Sequence, residues 1–395
     1  MKRLTTLLAA AMLAGTTSLA FAQDIKIAHI YGKTGPFEAY AKQTQAGLML
    51  GIEYATSGSM SVLGRKIVII EKDDQLKPDL AKSLLAQAYG DDKVDLAVGP
   101  TGSGSALAML PVAEEYRKIL LVEPAVADSI TGDKWNRYVF RTGRNSSQDA
   151  IAAAVATPRD AQIAMLAQDY AFGRDGVKAA KDALAAIGSK AVIVHEEYAP
   201  QATTDFTAPA QRMFDALKDK KGTKIIGIIW AGANPVTKIA DLKPERFGIA
   251  LAPGGNLLPV MKTWKDLAGV EGAIYYYYAF PKNKVNDWLV SEHRKRFGGA
   301  NPDFFTAGGM AAGIAIVEAI NKAGGTDTEK LIATMEGMSF MSPKGQMTFR
   351  KDDHQALQDM YQFRIKKVQA SEWDLLDLVR EIPSREIPLP VRNKR

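Results

Sequence analysis

The chain has 395 residues and no cysteine, and its lysines and arginines exceed its aspartates and glutamates by 50 − 44 = 6. This length is more than one hydrophobic core usually supports, so it predicts two domains. An apolar fraction of 47% is typical of a globular protein, and so small a charge surplus does not predict a nucleic-acid-binding protein.

The first 22 residues have the three parts of a secretory signal peptide. A cationic start, Met1-Lys2-Arg3, precedes an apolar run from Leu4 to Ala14 and the small-x-small site Ala20-Phe21-Ala22. Cleavage after Ala22 would leave 395 − 22 = 373 residues with a net charge of 6 − 2 = +4. We expect no later apolar run to be long enough to cross a membrane. Because no cysteine is available for lipid attachment, we expect an unanchored protein in the periplasm of a Gram-negative bacterium.

Short β-branched runs alternate with amphipathic segments of helical length. In the first half, the predicted strands Ile25–Ile30, Lys66–Glu71, Val94–Gly99 and Ile119–Val122 alternate with predicted helices. A second series of the same kind begins at Gln162. A βαβα series indicates an α/β fold with a parallel sheet covered by helices on both faces. The polar stretch Arg141–Ser147 between the two series predicts a crossover between two lobes that can close on a hinge.

The later segments are predicted to complete the two lobes. We expect residues 23–141 and 279–347 to form the N-terminal lobe, and residues 142–278 and 348–370 the C-terminal lobe. Residues 371–395 are left as a C-terminal extension. Because this extension ends in the basic cluster Arg392, Lys394 and Arg395, it is predicted to be a solvated, partly disordered tail.

Several motifs follow one another in a specific order along the chain: Thr34-Gly35-Pro36, Lys72-Asp73-Asp74-Gln75, Val98-Gly99-Pro100, Gly102-Ser103-Gly104-Ser105, Glu123-Pro124-Ala125, Tyr138–Thr142 and Asp169–Gly173. Their order and spacing resemble the leucine/isoleucine/valine-binding protein family, over nearly all of the chain after the signal peptide. The resemblance implies a type I periplasmic-binding-protein fold, with two doubly wound parallel-sheet lobes joined by a three-crossover hinge. It also implies a Venus-flytrap solute-binding protein that delivers a small ligand to the membrane permease of an ABC importer.

Ser103 is the first candidate ligand-binding residue. It is predicted to follow a parallel strand where a helix begins, a place where open α/β sheets bind ligands and where free N–H groups favour a carboxylate. The resemblance assigns it to carboxylate binding and Ala125 to main-chain contacts. It also places Tyr40, Phe172, Trp230 and Phe305 at or near aromatic wall positions, for which ordinary core packing is the alternative.

Two positions depart from the family pattern. Ala127 stands where amino-acid binders usually have threonine or serine, and Gly254 stands where they usually have a glutamate that faces the ligand ammonium. Because a buried ammonium needs such partners, these departures favour an aromatic or other organic carboxylate, with a branched-chain-type amino acid as the alternative. Lys33 is a candidate for neutralising the ligand anion, or else a solvated loop lysine.

Motifs for catalysis are not found in the sequence. It has no nucleophile elbow, phosphate-binding loop or paired-histidine zinc motif, and its four histidines are widely spaced. We therefore expect no enzyme activity, no cofactor and no metal, and a monomer whose partners are a small carboxylate and a permease. A sensory protein that docks on a membrane receptor is the alternative, because it would have the same fold.

Overall fold

The computed structural model describes residues 23–233 and 235–393; the predicted signal peptide, residues 1–22, lies outside them. Nine elements make up the first part of the chain: β1 (Ile25–Tyr31), α1 (Glu38–Ala55), β2 (Ser61–Val62), β3 (Arg65–Asp73), α2 (Pro78–Gly90), β4 (Leu96–Val98), α3 (Ser103–Tyr116), β5 (Leu120–Val122) and β6 (Val139–Arg141). The strands form one sheet in the order β2-β3-β1-β4-β5-β6, parallel except for the β2–β3 pair. The predicted parallel α/β lobe is therefore present, with its strand order reversing between β1 and β4.

A second parallel sheet follows the first crossover. Its elements are α4 (Ser146–Ala156), β7 (Gln162–Gln168), α5 (Ala171–Ala186), β8 (Val192–Ala199), α6 (Thr207–Leu217), β9 (Lys224–Ile229), α7 (Val236–Asp241), β10 (Ile249–Pro253) and α8 (Leu258–Met261). The strands run in the order β10-β9-β7-β8, and all of their pairings are parallel. As in the first lobe, the carboxyl ends of the strands lie at one edge, where ligands bind in doubly wound sheets.

The rest of the chain contributes to both lobes. It comprises β11 (Glu271–Ile274), α9 (Lys284–Arg296), α10 (Phe304–Ala323), α11 (Thr328–Met335), β12 (Ser339–Ser342), β13 (Gly345–Phe349), β14 (Ala356–Leu357), β15 (Met360–Ile365) and β16 (Leu376–Ile382). One small sheet has the order β12-β13-β14 and another the order β11-β15-β16. Because β14 still pairs with β13 while β15 pairs with β11, we propose that the last crossover lies at about residues 358–359, later than the predicted boundary after residue 347.

Helix α10 is buried in the first lobe against α1. Two pairs of glycines bring the helix backbones together: a Cβ atom on Gly47 would lie 2.0 Å from the carbonyl oxygen of Thr306, and one on Gly309 would lie 2.1 Å from that of Thr44. Within the described residues, α10 is the single helix long and apolar enough to cross a membrane. The expectation that no later run has that length was therefore wrong, although the helix is buried within the protein as a core element is.

The C-terminal extension is ordered as far as it is described, which corrects the predicted partial disorder, although many of its side chains are exposed to solvent as predicted. Strand β16 pairs with β15 in an antiparallel ladder. Arg392 then forms an ion pair of 2.6 Å with Asp182 of α5. The side chains of β16 are exposed except at its ends, Leu376 and Ile382, so backbone pairing rather than a hydrophobic pattern holds this strand. Lys394 and Arg395 lie outside the described residues.

Candidate functional site

The candidate site is a cleft between the two lobes at the carboxyl ends of their strands. A cavity of about 60 Å³ remains in it. The lining residues come from α1, from the loops after β4, β5, β9 and β10, and from the starts of α5 and α10; they include Tyr40, Ser103, Ala125, Phe172, Trp230 and Phe305. Six of the nine residues predicted to contact ligand therefore line one cavity.

Ser103 is the first residue of α3, as its position after a parallel strand predicts. Its hydroxyl oxygen accepts hydrogen bonds from the backbone N–H groups of Val126 at 3.3 Å and Ala127 at 3.2 Å. A serine hydroxyl has two lone pairs that accept and one proton that can be donated. These two bonds use both lone pairs, so the hydroxyl can still donate its proton. The site therefore presents a hydroxyl donor, which suits an acceptor such as a carboxylate oxygen.

Aromatic rings form much of the cavity wall. The rings of Tyr40 and Phe305 are 4.4 Å apart between centroids, and Phe37 lies 5.3 Å from Tyr40. On the side of the second lobe, Trp230 packs edge-on against Phe206 at 5.0 Å. Because these side chains face both the cavity and the core, they are packing residues and wall residues at once.

Arg144 is a cleft residue that sequence reasoning missed. It lies in the first crossover, with its guanidinium carbon 4.5 Å above the ring of Tyr275. Its Nε donates to Asp149 at 3.1 Å, and within the described residues no hydrogen bond donated by its terminal nitrogens is found. A guanidinium with free terminal N–H groups is a strong carboxylate donor. The one signal for it in the sequence is its place in the predicted crossover Arg141–Ser147.

A second, larger cavity adjoins the cleft inside the second lobe. This second-lobe compartment has a volume of about 500 Å³ and shares five lining residues with the cleft cavity: Arg144, Phe172, Trp230, Gly255 and Phe304. Its size lies within the range of small-molecule binding pockets. Because the two cavities share these residues, the compartment is a candidate extension of the cleft.

Three predicted site residues do not line the cleft cavity. Ala127 is fully buried, and its backbone N–H and carbonyl are used by Ser103 and Arg141. Lys33 forms an exposed ion pair of 2.9 Å with Glu71 of the neighbouring strand, so its charge is directed away from the cavity. Gly254 lines the second-lobe compartment, where a Cβ atom would meet open space.

Buried charges surround the hinge behind the cleft. Glu123 is 1% exposed and accepts a hydrogen bond from Thr142 at 3.1 Å. Desolvation raises the pKa of Glu123 to about 7, against the opposing effects of Thr142 and nearby cations. Desolvation likewise lowers the pKa of Lys344 to about 7. Among the described residues, no group of three or more histidine, aspartate or glutamate side chains is placed to hold a metal ion.

The chain is similar to known solute-binding proteins. A model of the periplasmic binding protein family matches residues 24–370. The structure of an ABC-type branched-chain amino acid transporter protein from Rhodopseudomonas palustris is 62% identical, covers 94% of this chain and 100% of its own, and has a TM-score of 0.82. A solute-binding protein of an ABC transporter from R. palustris BisB5, solved with 3,4-dihydroxybenzoic acid, is 28% identical, covers 91% of this chain and 98% of its own, and has a TM-score of 0.79.

Relatives that bind amino acids are found as well. The leucine-, isoleucine-, valine-, threonine- and alanine-binding protein of Pseudomonas aeruginosa is 26% identical over 358 residues, which is 88% of this chain and 92% of that protein. The similarity extends over both lobes in each case. It therefore concerns the whole two-lobed binding unit rather than one shared domain.

Proposed function

We propose that this chain, which belongs to the periplasmic binding protein family of ABC-transporter solute-binding proteins, captures a small organic carboxylate and delivers it to a membrane permease. The family supports an exported location, and cleavage of the signal peptide after Ala22 remains part of the proposal. The lobes close around the ligand without chemical change.

The observation that carries the choice of ligand is the charge of the cleft cavity. Arg144 is its one charged lining residue among the residues described, and no aspartate or glutamate lines it. The Ser103 hydroxyl, whose proton is free to be donated, lies in the same lining, so the cavity has hydrogen-bond donors and no anionic side chain among its described residues. An anionic carboxylate matches these groups.

Among its described lining residues, the cleft cavity has no carboxylate partner for an ammonium group. In the adjoining compartment Asp149 is paired with Arg144, and Glu271 accepts hydrogen bonds from Gln362 at 2.8 Å and from Arg364 at 2.5 Å. Gly254 supplies no side chain at all where amino-acid binders have a glutamate. Because an unpaired buried charge costs several kcal/mol, the cleft favours a carboxylate without an ammonium over an amino-acid zwitterion.

The relatives support this range of ligands. The binding protein solved with 3,4-dihydroxybenzoic acid holds an aromatic carboxylate, whereas the Pseudomonas relative is named for aliphatic amino acids. Both ligand types have a carboxylate, and the ammonium distinguishes them. The charge pattern of this cleft supports a ligand of the first type.

A thermal-shift screen of the mature protein tests the proposal. The panel contains benzoate, 4-hydroxybenzoate, leucine, valine and the neutral amide benzamide. A ligand at 100 times its Kd stabilises the folded protein by about 2.7 kcal/mol, which raises the melting temperature measurably. We expect shifts with the carboxylates that lack an ammonium and none with benzamide. A shift with benzamide equal to that with benzoate, or shifts with amino acids alone, would contradict the proposal.

A further inference from the structure

We propose that the second-lobe compartment binds the apolar part of the ligand, which makes the preferred ligand a monocarboxylate with an extended alkyl or aryl-alkyl chain. The inference rests on the proposed function, since it takes the carboxylate to be held in the cleft. The cleft cavity has about 60 Å³ and the adjoining compartment about 500 Å³, so most of the space for a ligand lies beyond the carboxylate donors.

Much of the compartment floor is one face of the second sheet. On β9 the lining residues include Ile225, Gly227 and Ile229, which alternate along the strand and so share a face. On β7 they include Ile163 and Met165. The four residue steps from Ile225 to Ile229 correspond to about 13 Å along the strand. The compartment is therefore elongated, and it runs from the cleft toward the amino ends of the strands.

Small side chains on α4 leave this floor uncovered. Ala150, Ala153 and Ala154 line the compartment at spacings that put them on one face of the helix, and Thr157, just after its end, lines it too. Larger residues at these positions would fill the space over the sheet. The alanines thus leave the space between the sheet and the helix unfilled along the compartment.

Each charged side chain that lines the compartment, among the described residues, has a partner or lies at the cleft end: Asp149 is paired with Arg144. Arg144 lies at the cleft end, and it is one of the five residues that line both cavities. Along the rest of the length most lining residues are aliphatic, and Glu271 is held by Arg364 and Gln362. A ligand with one charged head and an uncharged, flexible chain matches this distribution, because burial of each methylene is favourable while a second charge would be left unpaired.

A chain-length series tests the inference by isothermal titration calorimetry. The ligands are butyrate, hexanoate, octanoate and decanoate, with benzoate as a compact reference. We expect Kd to fall about fourfold per added methylene until the compartment is full. A Kd that does not improve beyond butyrate, or binding of benzoate with no binding of octanoate, would overturn the inference while leaving the proposed function intact. Binding of none of these carboxylates would instead contradict the proposed function.

A filling substitution localises the effect. Ala153→Leu adds bulk on the compartment face of α4 with a residue that favours helices. Its matched control is Ala185→Leu on α5, an exposed position that does not line the compartment. We expect Ala153→Leu to lose at least tenfold more affinity for decanoate than for butyrate, and the control to change neither. An equal change for both ligands would show that the chain does not enter the compartment. If Ala153→Leu fails to fold, the series with the unaltered protein decides alone.

Discussion

The phenol oxygen of Tyr40 accepts a hydrogen bond of 2.6 Å from the backbone N–H of Gly232. This bond joins α1 of the first lobe to the loop after β9 in the second, across 192 residues of sequence. A second contact between the lobes runs from the backbone N–H of Ser129 to Asp175 of α5 at 2.9 Å. The structure therefore shows the lobes meeting at the cleft, with Tyr40 both in the cavity wall and in the contact that closes it.

Tyr40→Phe should weaken ligand binding by about 2- to 10-fold. The substitution removes one hydrogen bond, worth about 0.5–1.5 kcal/mol, that forms only when the lobes meet, so the population moves toward open forms. Calorimetry with the best ligand from the thermal-shift screen measures the change, and Tyr54→Phe in the same helix is the control. An unchanged Kd would show that this contact does not contribute to closure.

Ser103→Ala should raise the Kd for a carboxylate about 10- to 100-fold. The change removes a hydrogen bond to a charged group, worth about 1.5–3 kcal/mol, and leaves two backbone N–H groups without their acceptor. Ser105→Ala, two residues further along α3 and outside the cavity lining, is the matched control. Equal losses in both variants would assign the effect to the helix rather than to the Ser103 hydroxyl.

Arg144→Gln should weaken carboxylate binding more than Ser103→Ala does, because it removes the cleft's one charged donor among the described lining residues. Arg144→Lys keeps the charge and loses the forked geometry, so it should recover only part of the affinity. Arg137→Gln, which breaks an exposed ion pair with Glu329, is the control. The assignment fails if Arg144→Gln binds benzoate as tightly as the unaltered protein.

Gly254→Glu should shift the preference from carboxylates without an ammonium toward amino acids. The new side chain starts in open space at the compartment, so it is accommodated without a steric clash at its Cβ. Its negative charge would repel a second carboxylate and attract an ammonium. Gly254→Gln adds a side chain of the same size as glutamate but without its charge. Comparing the two variants therefore separates the effect of the added volume from the effect of the added charge. The ratio of Kd values for leucine and benzoate is the readout; equal ratios in the two variants would contradict the electrostatic explanation.

Glu123→Gln should change the pH dependence of stability. The pKa of Glu123 is about 7 in the folded protein against 4.5 for an ordinary glutamate, so between these values the folded state keeps a proton that the unfolded state releases. This contribution is fully present below pH 4.5 and is lost as pH rises through 7, an effect of up to about 3 kcal/mol.

Denaturant unfolding at several pH values between 4.5 and 7 measures this effect. The stability of Glu123→Gln relative to the unaltered protein should rise across that range. Glu114→Gln, at an exposed position, should give a flat difference. A flat difference for Glu123→Gln as well would show that the carboxyl is not held protonated in the fold.

The convergence of Ser103, Phe172 and Trp230 could be predicted from the sequence. Each follows a strand in a βαβα series, and the carboxyl ends of parallel strands lie at the same edge of a sheet. The order of the strands came from the family resemblance. So did the expectation that the carboxyl-end edges of the two sheets face each other across a hinge. The periodicity of apolar residues predicts the strands and helices of each lobe, but it does not predict how one lobe is oriented toward the other.

The direction of individual side chains could not be predicted. Arg144 reaches the cleft because it stacks on Tyr275, which lies 131 residues further along the chain, at the second crossover. Lys33 is drawn away by Glu71, a residue on the adjacent strand β3. Both outcomes depend on long-range packing. The ordered C-terminal extension was missed for a related reason, since β16 is held by backbone pairing that leaves no pattern in its side chains.

The most direct test compares leucine with 4-methylpentanoate by calorimetry on the mature protein. The two compounds share one carbon skeleton and one carboxylate and differ only in the ammonium group. Because the cleft offers donors at Ser103 and Arg144 and no carboxylate among its described lining residues, we predict that 4-methylpentanoate binds at least tenfold more tightly than leucine. Tight binding of leucine with no detectable binding of 4-methylpentanoate would contradict the account.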